Sequence, residues 1–189
     1  MIDLLAGTPS LLIALPQLQD PNFVRSVVLL LEHDDQGAMG FVINRIADYT
    51  LKDILHEDNK LKTFGDAPAW IGGPIQTDRA VVLHNCQEVA SETSYGDIKV
   101  SSSAESLEEL LDMPKGFFTA KHAFRFIVGY AGWGAGQLSA EIRGGAWIQT
   151  DFDHEIVFNT DPKHMWTAAM QILGINPLEL VHSDQRFIN

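Results

Sequence analysis

The chain has 189 residues and a mass of 20.9 kDa, enough for one well-buried core, so we expect a single domain over residues 1–189. Thirteen basic and 25 acidic side chains leave a net charge of −12, which repels a phosphate backbone and disfavours direct nucleic-acid binding. No apolar run reaches the roughly 18 to 20 residues of a membrane span, and a single cysteine, Cys86, excludes an intramolecular disulfide framework, so we expect a cytoplasmic protein without membrane insertion.

The first predicted elements form a β-hairpin. Residues 25–33, "RSVVLLLEH", are an aliphatic run of strand length. Residues 39–44, "MGFVIN", follow after a turn-like segment that contains glycine. The pair therefore predicts two adjacent antiparallel strands.

The middle of the chain predicts two helices with a strand between them. Thr50 and Asp53 have the spacing of a capping box at the start of a short helix. Residues 79–85, "RAVVLHN", are typical of a buried strand. Ser102 and Glu105 repeat the capping pattern, and the leucines that follow have helical spacing.

Strands and a short helix are predicted again after residue 123. Residues 124–130, "FRFIVGY", indicate a buried strand, and residues 137–143 can form a helix of about two turns between glycines. Residues 146–150, "AWIQT", and residues 154–159, "HEIVFN", predict a further pair of strands.

The last helix has the clearest boundaries. Asp161 is its expected N-cap, Pro162 takes the first helical position and Gly174 ends it. Its buried side is expected to carry Met165, Ala169, Ile172 and Leu173. Strands joined by short turns, with about three to four helices, predict an α+β fold around a mainly antiparallel sheet.

A glycine-rich loop follows the strand at residues 124–130. Gly134 and Gly136 match the first two glycines of a dinucleotide-binding fingerprint, but Ser139 stands where the third small residue belongs. The helix that follows is short for a parallel crossover, and the lysine of a phosphate-binding loop is missing. We favour a structural turn around Trp133, with phosphate binding as the alternative.

Other polar clusters have a structural interpretation beside a chemical one. Residues 32–35, "EHDD", are compatible with cation binding or acid–base chemistry but are more typical of a solvated turn. His84 and Cys86 share a strand face, which permits a thiolate–imidazole pair, although core packing is the commoner role. Asp78 and Arg79 favour a turn-stabilising pair. We therefore expect no catalytic residue, metal site or cofactor.

Three stretches, in this order and spacing, resemble the bacterial YqgE/AlgH family. They are "LPQLQDPNFVRSVVLLLEHDDQGAMGFVINR", "IGGPIQTDRAVVLH" and "GYAGWGAGQLSAEI". The resemblance covers the chain from about Gly7 to about Ser183. It implies an α+β fold with a bent, partly barrel-like antiparallel sheet.

For function, the resemblance implies little. Some members of the family are named as transcriptional regulators, for instance of alginate synthesis, and no enzymatic reaction is settled for it. The polar and glycine residues of the three stretches form the candidate functional surface. They are Glu32, His33, Asn44, Arg45, Asp78, Arg79, Gly132, Trp133 and Gly134.

Two classes of function stay open. The favoured hypothesis is a cytoplasmic regulatory or interaction protein without enzymatic activity, acting indirectly through an unknown protein or small-molecule partner. The alternative is a nucleotide-binding protein or enzyme that uses Gly132–Gly136 with Asp78 and Arg79. The two differ in whether the polar turns meet in a concave pocket or lie apart on a convex face.

Overall fold

The fold is a large sheet with short helices, and the computed structural model describes it for residues 8–55, 66–114, 117–118 and 123–176. The strands are β1 (Ser10–Ala14), β2 (Val27–His33), β3 (Gly37–Val42), β4 (Ile46–Thr50), β5 (Pro68–Ile71), β6 (Ile75–His84), β7 (Thr93–Tyr95), β8 (Ile98–Ser101), β9 (Phe124–Gly134) and β10 (Trp147–Asp151). The helices are α1 (Leu51–Leu55), α2 (Ala104–Leu111), α3 (Gln137–Arg143) and α4 (Pro162–Ile172), with a π-helical turn at Glu155–Asn159. Within these ranges no helix is long and apolar enough to cross a membrane.

The strands form one mainly antiparallel sheet, in the order β10-β1-β2-β3-β9-β6-β8-β7. Strand β5 lies beside β9 in the one parallel pairing of the described residues, and β4 pairs antiparallel with β5. The predicted α+β class with a mainly antiparallel sheet is confirmed, as is the β2–β3 hairpin. Helices α1, α2, α3 and α4 lie against this sheet or at its margins.

Strand β9 is shared by two parts of the sheet. Its first half pairs with β5 and β6, and its second half pairs with β3. Between the halves, Gly129 has a φ of +71°, and a Cβ there would lie 2.6 Å from the carbonyl oxygen of Gly73. Glycine is needed because it fits both the left-handed backbone and the close approach.

The sheet curls into a half-barrel. Trp133 on β9 and Trp147 on β10 have ring centroids 5.9 Å apart, although β3, β2 and β1 separate these strands in the sheet. Four strand spacings in a flat sheet would hold them roughly 19 Å apart. The bent, partly barrel-like sheet that the family resemblance implies is therefore confirmed.

Strand β2 is buried on both faces. Val27, Leu29 and Leu31 join a cluster that includes residues of α4 and the π-helical turn. Val28 and Leu30 join a second cluster that contains Leu138 of α3 and the two tryptophans of β9 and β10. Burial on both sides explains why β2 reads as an unbroken aliphatic run without polar alternation.

The predicted caps of the first two helices are nearly right. Both the backbone nitrogen and the hydroxyl of Thr50 donate to Oδ2 of Asp53 at 2.8 Å, which confirms a capping-box contact at α1. Helix α2 is capped by Ser103, whose Oγ accepts from the nitrogen of Ser106 at 3.2 Å. The predicted N-cap at Ser102 is therefore wrong by one residue.

Helix α4 begins and ends as predicted. The Asp161 side chain accepts from the nitrogen of Lys163 at 2.8 Å, and Pro162 is the first helical residue. Met165, Ala169 and Met170 are buried, but Ile172 is 57% exposed, so its predicted burial is wrong. Successive residues of an α-helix are rotated by 100° about its axis, so the three buried side chains define an inward face whose centre lies away from Ile172. Ile172 lies at the margin of this face.

The strand predicted at residues 154–159 is wrong, because this segment forms the π-helical turn. Oδ1 of Asp153 accepts from the nitrogen of Ile156 at 2.9 Å and caps the turn. The nitrogen and hydroxyl of Thr160 both donate to the carbonyl of Glu155. These hydrogen bonds pair polar backbone groups of a helical turn. The apolar sequence pattern alone does not predict such a turn.

Arg125 of β9 is a buried cation, with 5% of its surface exposed. Its guanidinium donates to the carbonyls of Ile43 and Val157 and lies 4.1 Å from the ring centroid of Trp70. Burial lowers the pKa of Arg125 to about 10, which still leaves the side chain charged at neutral pH. Arg125 thus connects β9 to the end of β3 and to the π-helical turn.

We predict that Arg125→Met lowers the free energy of unfolding by about 3 kcal/mol, because two buried carbonyls lose their donor. Urea unfolding followed by tryptophan fluorescence measures the loss. Arg143→Met, at the exposed end of α3, is the control and should stay within about 0.5 kcal/mol of the parent. Equal stability of the two variants would contradict this role for Arg125.

Candidate functional site

The structure places seven of the nine candidate residues near the two ends of β3, and the other two, Asp78 and Arg79, on β6. Glu32, Gly132 and Gly134 line a groove of about 500 Å³ near the start of β3, which we call the strand-end groove. Asn44 and Arg45 follow the end of β3 and line a cleft of about 980 Å³. One wall of this cleft comes from α4, and we call it the α4 cleft.

The glycine loop uses its own side chains to satisfy its polar groups. The backbone nitrogen of Gly134 donates to Oε1 of Gln137 at 3.0 Å. Nε2 of Gln137 in turn donates to Oε1 of Glu141 at 2.8 Å. A phosphate at this position would have to displace an amide and approach a carboxylate, so the geometry favours a structural turn.

Glu141 also holds two tryptophans. Its Oε2 accepts from Nε1 of Trp133 at 2.9 Å and from Nε1 of Trp147 at 2.8 Å. Phe23 packs against both rings, at centroid distances of 6.0 and 5.5 Å. Trp133 is only 6% exposed, so its main contacts are within the core. The roles of Glu141 and Trp147 were not predicted from the sequence, in which the one-turn spacing of Gln137 and Glu141 is the signal of this network.

The acidic turn after β2 is organised by Asp34. Its Oδ1 accepts from the backbone nitrogens of Gln36 at 2.8 Å and Gly37 at 3.1 Å. This is the side-chain-stabilised turn expected of a solvated acidic loop. Across the part of the chain that the structure describes, no three or more His, Cys, Asp or Glu side chains come together as a metal site.

Glu32 and His33 each contact a side chain from another element. Glu32 is exposed and accepts a hydrogen bond of 2.7 Å from Oη of Tyr95. Burial, helped by this bond, raises the pKa of Tyr95 to about 12, so its hydroxyl remains a donor at neutral pH. Nε2 of His33 lies 3.4 Å from Oγ of Ser139, a long contact for a hydrogen bond.

Asp78 and Arg79 lie on an outward bulge of β6. Ile75 pairs with Tyr130 and Ala80 pairs with Val128, so four residues of β6 face a single residue of β9. Both Asp78 and Arg79 are exposed. Arg79 lines a further groove of about 640 Å³, which we call the Arg79 groove.

Asn44 fixes the turn before β2. Its Oδ1 accepts from the nitrogen of Val27 and its Nδ2 donates to the carbonyl of Arg25, both at 2.9 Å. The amide side chain thus serves as donor and acceptor for one turn.

Arg45 fixes the loop that precedes this turn. Its guanidinium donates to the carbonyls of Pro21 at 2.9 Å and Val24 at 3.1 Å. Burial lowers the pKa of Arg45, and the nearby charge of Asp20 acts in the opposite direction. The same side chain therefore has a structural role and a position at the α4 cleft.

His84 and Cys86 are fully buried. Burial lowers the pKa of His84 to about 4, with a further contribution from the charge of Lys99. Burial raises the pKa of Cys86 to about 11. Both side chains are neutral at pH 7, which supports core packing rather than a thiolate–imidazole pair.

Comparison with known proteins identifies close relatives along nearly the whole chain. The AlgH-like family model matches residues 11–178. A UPF0301 protein from Thioalkalivibrio sulfidiphilus is 42% identical over 184 residues, which cover 94% of each chain. A UPF0301 protein from Myxococcus xanthus is 39% identical, over 92% of this chain and 94% of the relative.

Solved structures agree with the fold. The solution structure of the AlgH protein from Pseudomonas aeruginosa superposes with a TM-score of 0.74 at 32% identity, over 96% of each chain. A crystal structure of a Corynebacterium diphtheriae protein superposes with a TM-score of 0.68 over 87% of this chain and 86% of that one. At 22% identity this second match supports the fold alone.

We predict that two glycines of β9 respond differently to alanine. Gly129→Ala should lower the free energy of unfolding by about 2 kcal/mol or more, because the backbone is left-handed and a Cβ meets a carbonyl. Gly134→Ala should cost less than about 0.5 kcal/mol, because a Cβ there meets only Oε1 of Gln137 at 3.9 Å. Denaturant unfolding of both variants measures the difference.

Titration with ATP, NAD and GTP accompanies these measurements. A stable Gly134→Ala protein that loses a nucleotide affinity possessed by the parent would contradict the structural interpretation of the loop. We expect neither protein to bind these nucleotides.

Proposed function

This chain belongs to the AlgH-like family, and we propose that it is a cytoplasmic interaction protein of a regulatory kind, without enzymatic activity. It acts on transcription indirectly, through a protein partner that docks at the strand-end groove and the adjoining Arg79 groove. The α+β scaffold holds the docking surface, and the partner supplies any contact with nucleic acid.

The observation that carries this proposal is the composition of the two grooves. Met39 and Tyr130 line both, so the grooves form one continuous surface. Glu32 lines one end of this surface and Arg79 lines the other. Opposite charges around a partly apolar centre are the arrangement of a protein-binding surface, where charge sets orientation and apolar side chains supply affinity.

The internal bonds of the glycine loop support the same conclusion. The side chain of Gln137 accepts a hydrogen bond from the backbone nitrogen of Gly134, and the carboxylate of Glu141 lies beside the loop. Both features oppose nucleotide binding by Gly132–Gly136 with Asp78 and Arg79. This alternative is therefore less well supported than partner binding.

The charge of the chain supports indirect action. A net charge of −12 makes unaided approach to duplex DNA unfavourable. Some members of the family are named as transcriptional regulators, and one similar solved protein is named AlgH. Cys86 is buried and forms no disulfide, which suits a cytoplasmic protein.

We predict that reversing a charge in the grooves weakens binding of the partner protein. Affinity capture from the source cells should retain at least one protein on the parent chain, and Arg79→Glu should reduce that protein about tenfold. Quantitative mass spectrometry measures the retained amounts. Lys52→Glu, on an exposed position of α1, is the matched control and should retain the protein fully.

The purified partner then allows a second variant. Glu32→Lys, at the other end of the surface, should weaken binding in calorimetry, and urea unfolding verifies that the variant is folded without the Tyr95–Glu32 hydrogen bond. Equal capture by Arg79→Glu and Lys52→Glu would refute docking at these grooves.

We also predict that the purified protein shows no sequence-selective binding to duplex DNA at physiological salt, because its surface lacks net positive charge. A gel-shift assay with promoter fragments measures this. Sub-micromolar, sequence-selective binding by the protein alone would contradict indirect regulation.

A further inference from the structure

The lining of the α4 cleft carries charge of a single sign. Arg25 precedes β2, Arg45 follows β3 and Lys163 lies in the first turn of α4, and all three line the cleft. The chain has 25 acidic and 13 basic residues, yet no Asp or Glu is among the described residues that line it. A cleft lined by one sign of charge focuses its field and attracts the opposite charge.

Arg25 is held in place before any ligand arrives. Arg25 has a φ of +53°, a left-handed backbone conformation that is uncommon for residues other than glycine. The side chain of Asn44 donates a hydrogen bond to the carbonyl of Arg25. Cζ of Arg25 lies 5.6 Å from the ring centroid of Trp166, within range of a cation–π contact. Nε1 of Trp166 donates to the carbonyl of Ala14 at 2.7 Å, which fixes the indole.

Arg45 retains donors that its structural bonds do not use. A guanidinium has five N–H donors, and bonds to the carbonyls of Pro21 and Val24 engage two of its nitrogens. The fork geometry of the guanidinium matches the oxygens of a carboxylate or phosphate. Because the two carbonyl bonds already fix its position, little side-chain entropy is lost when an oxyanion binds.

The cleft also has apolar walls. Val24 is 39% exposed, and the half-buried Pro16 and Trp166 line the same space. A volume of about 980 Å³ is of the size that accepts a small organic molecule. The backbone of α4 supplies no open anion site, because the Asp161 side chain already caps this helix.

We propose that the α4 cleft binds a small organic oxyanion, in which a carboxylate or phosphate meets Arg25, Arg45 and Lys163 and an apolar body packs beside Trp166 and Val24. This site goes beyond the partner surface, since the cleft and the strand-end groove lie at opposite ends of β3. The two sites share no lining residue, so either can fail without the other.

Nuclear magnetic resonance of the full chain, labelled with ¹⁵N, tests the site. The chain has four tryptophans, and Trp166→Phe assigns the indole signal of Trp166. The indoles of Trp133 and Trp147, bonded to Glu141, serve as internal controls. The probes are phenyl phosphate, benzoate and the uncharged benzamide.

We expect both anions to shift the Trp166 indole signal with saturation, while the signals of Trp133 and Trp147 stay in place. Benzamide should have no such effect, since it lacks the charge. The anion that binds more tightly identifies phosphate or carboxylate as the preferred group. The absence of a saturable shift up to about 10 mM of either anion, or equal binding of benzamide, would overturn the proposal.

Charge-removing variants test the same site independently of the spectra. Lys163→Met should weaken binding of the preferred anion about fivefold or more, and Arg25→Asn, which tolerates the left-handed backbone, should do the same. Lys52→Met on α1 should leave the affinity unchanged. Thermal unfolding verifies that each variant is folded. Unchanged affinity in both cleft variants would refute the assignment.

Discussion

Burial of β2 on both of its faces is the constraint on which the rest of this structure depends. An aliphatic strand in the middle of a sheet needs an apolar cover on each side, since one exposed face would leave Leu29 or Leu30 in water. Helix α4 and the π-helical turn supply one cover, and α3 with two tryptophans supplies the other. The curl of the sheet brings β9 and β10 close enough for α3 to bridge them.

Two charged side chains, the buried Arg125 and the partly buried Glu141, connect these covers to the sheet. Arg125 joins β9 to the π-helical turn on one side, and Glu141 joins α3 to both tryptophans on the other. Each group satisfies several partners, which offsets the cost of removing a charge from water. This explains why Trp133, within a motif that attracts functional interpretation, is mainly a core residue. Glu32 and Arg79, which are exposed residues of the same stretches, belong to the proposed partner surface.

The two proposed sites differ because the two ends of β3 meet different elements. At its start, the bulge of β6 and the end of β9 bring opposite charges and apolar side chains to one surface. Beyond its end, Arg25, Arg45 and Lys163 converge from separate elements without an acidic neighbour in the lining. The first arrangement suits a protein partner with mixed charge, and the second suits an anion. Asn44 and Arg45 hold the loop structure and also line the α4 cleft.

Local sequence determined the elements whose signals lie within a few residues. The β2–β3 hairpin, the strand β9 and the ends of α4 follow from aliphatic runs, turn residues and caps, which act between near neighbours. The short strands β1, β4 and β5 pair with distant segments, which stabilise them beyond what their local sequence indicates. Strands β7 and β8 pair with each other across residues 96–97, in a short hairpin that was not predicted from the sequence. Tertiary structure decided the hydrogen bonds of Glu141, the exposure of Ile172 and the single sign of charge in the α4 cleft. Each of these depends on how the curled sheet brings together segments that are far apart in the chain.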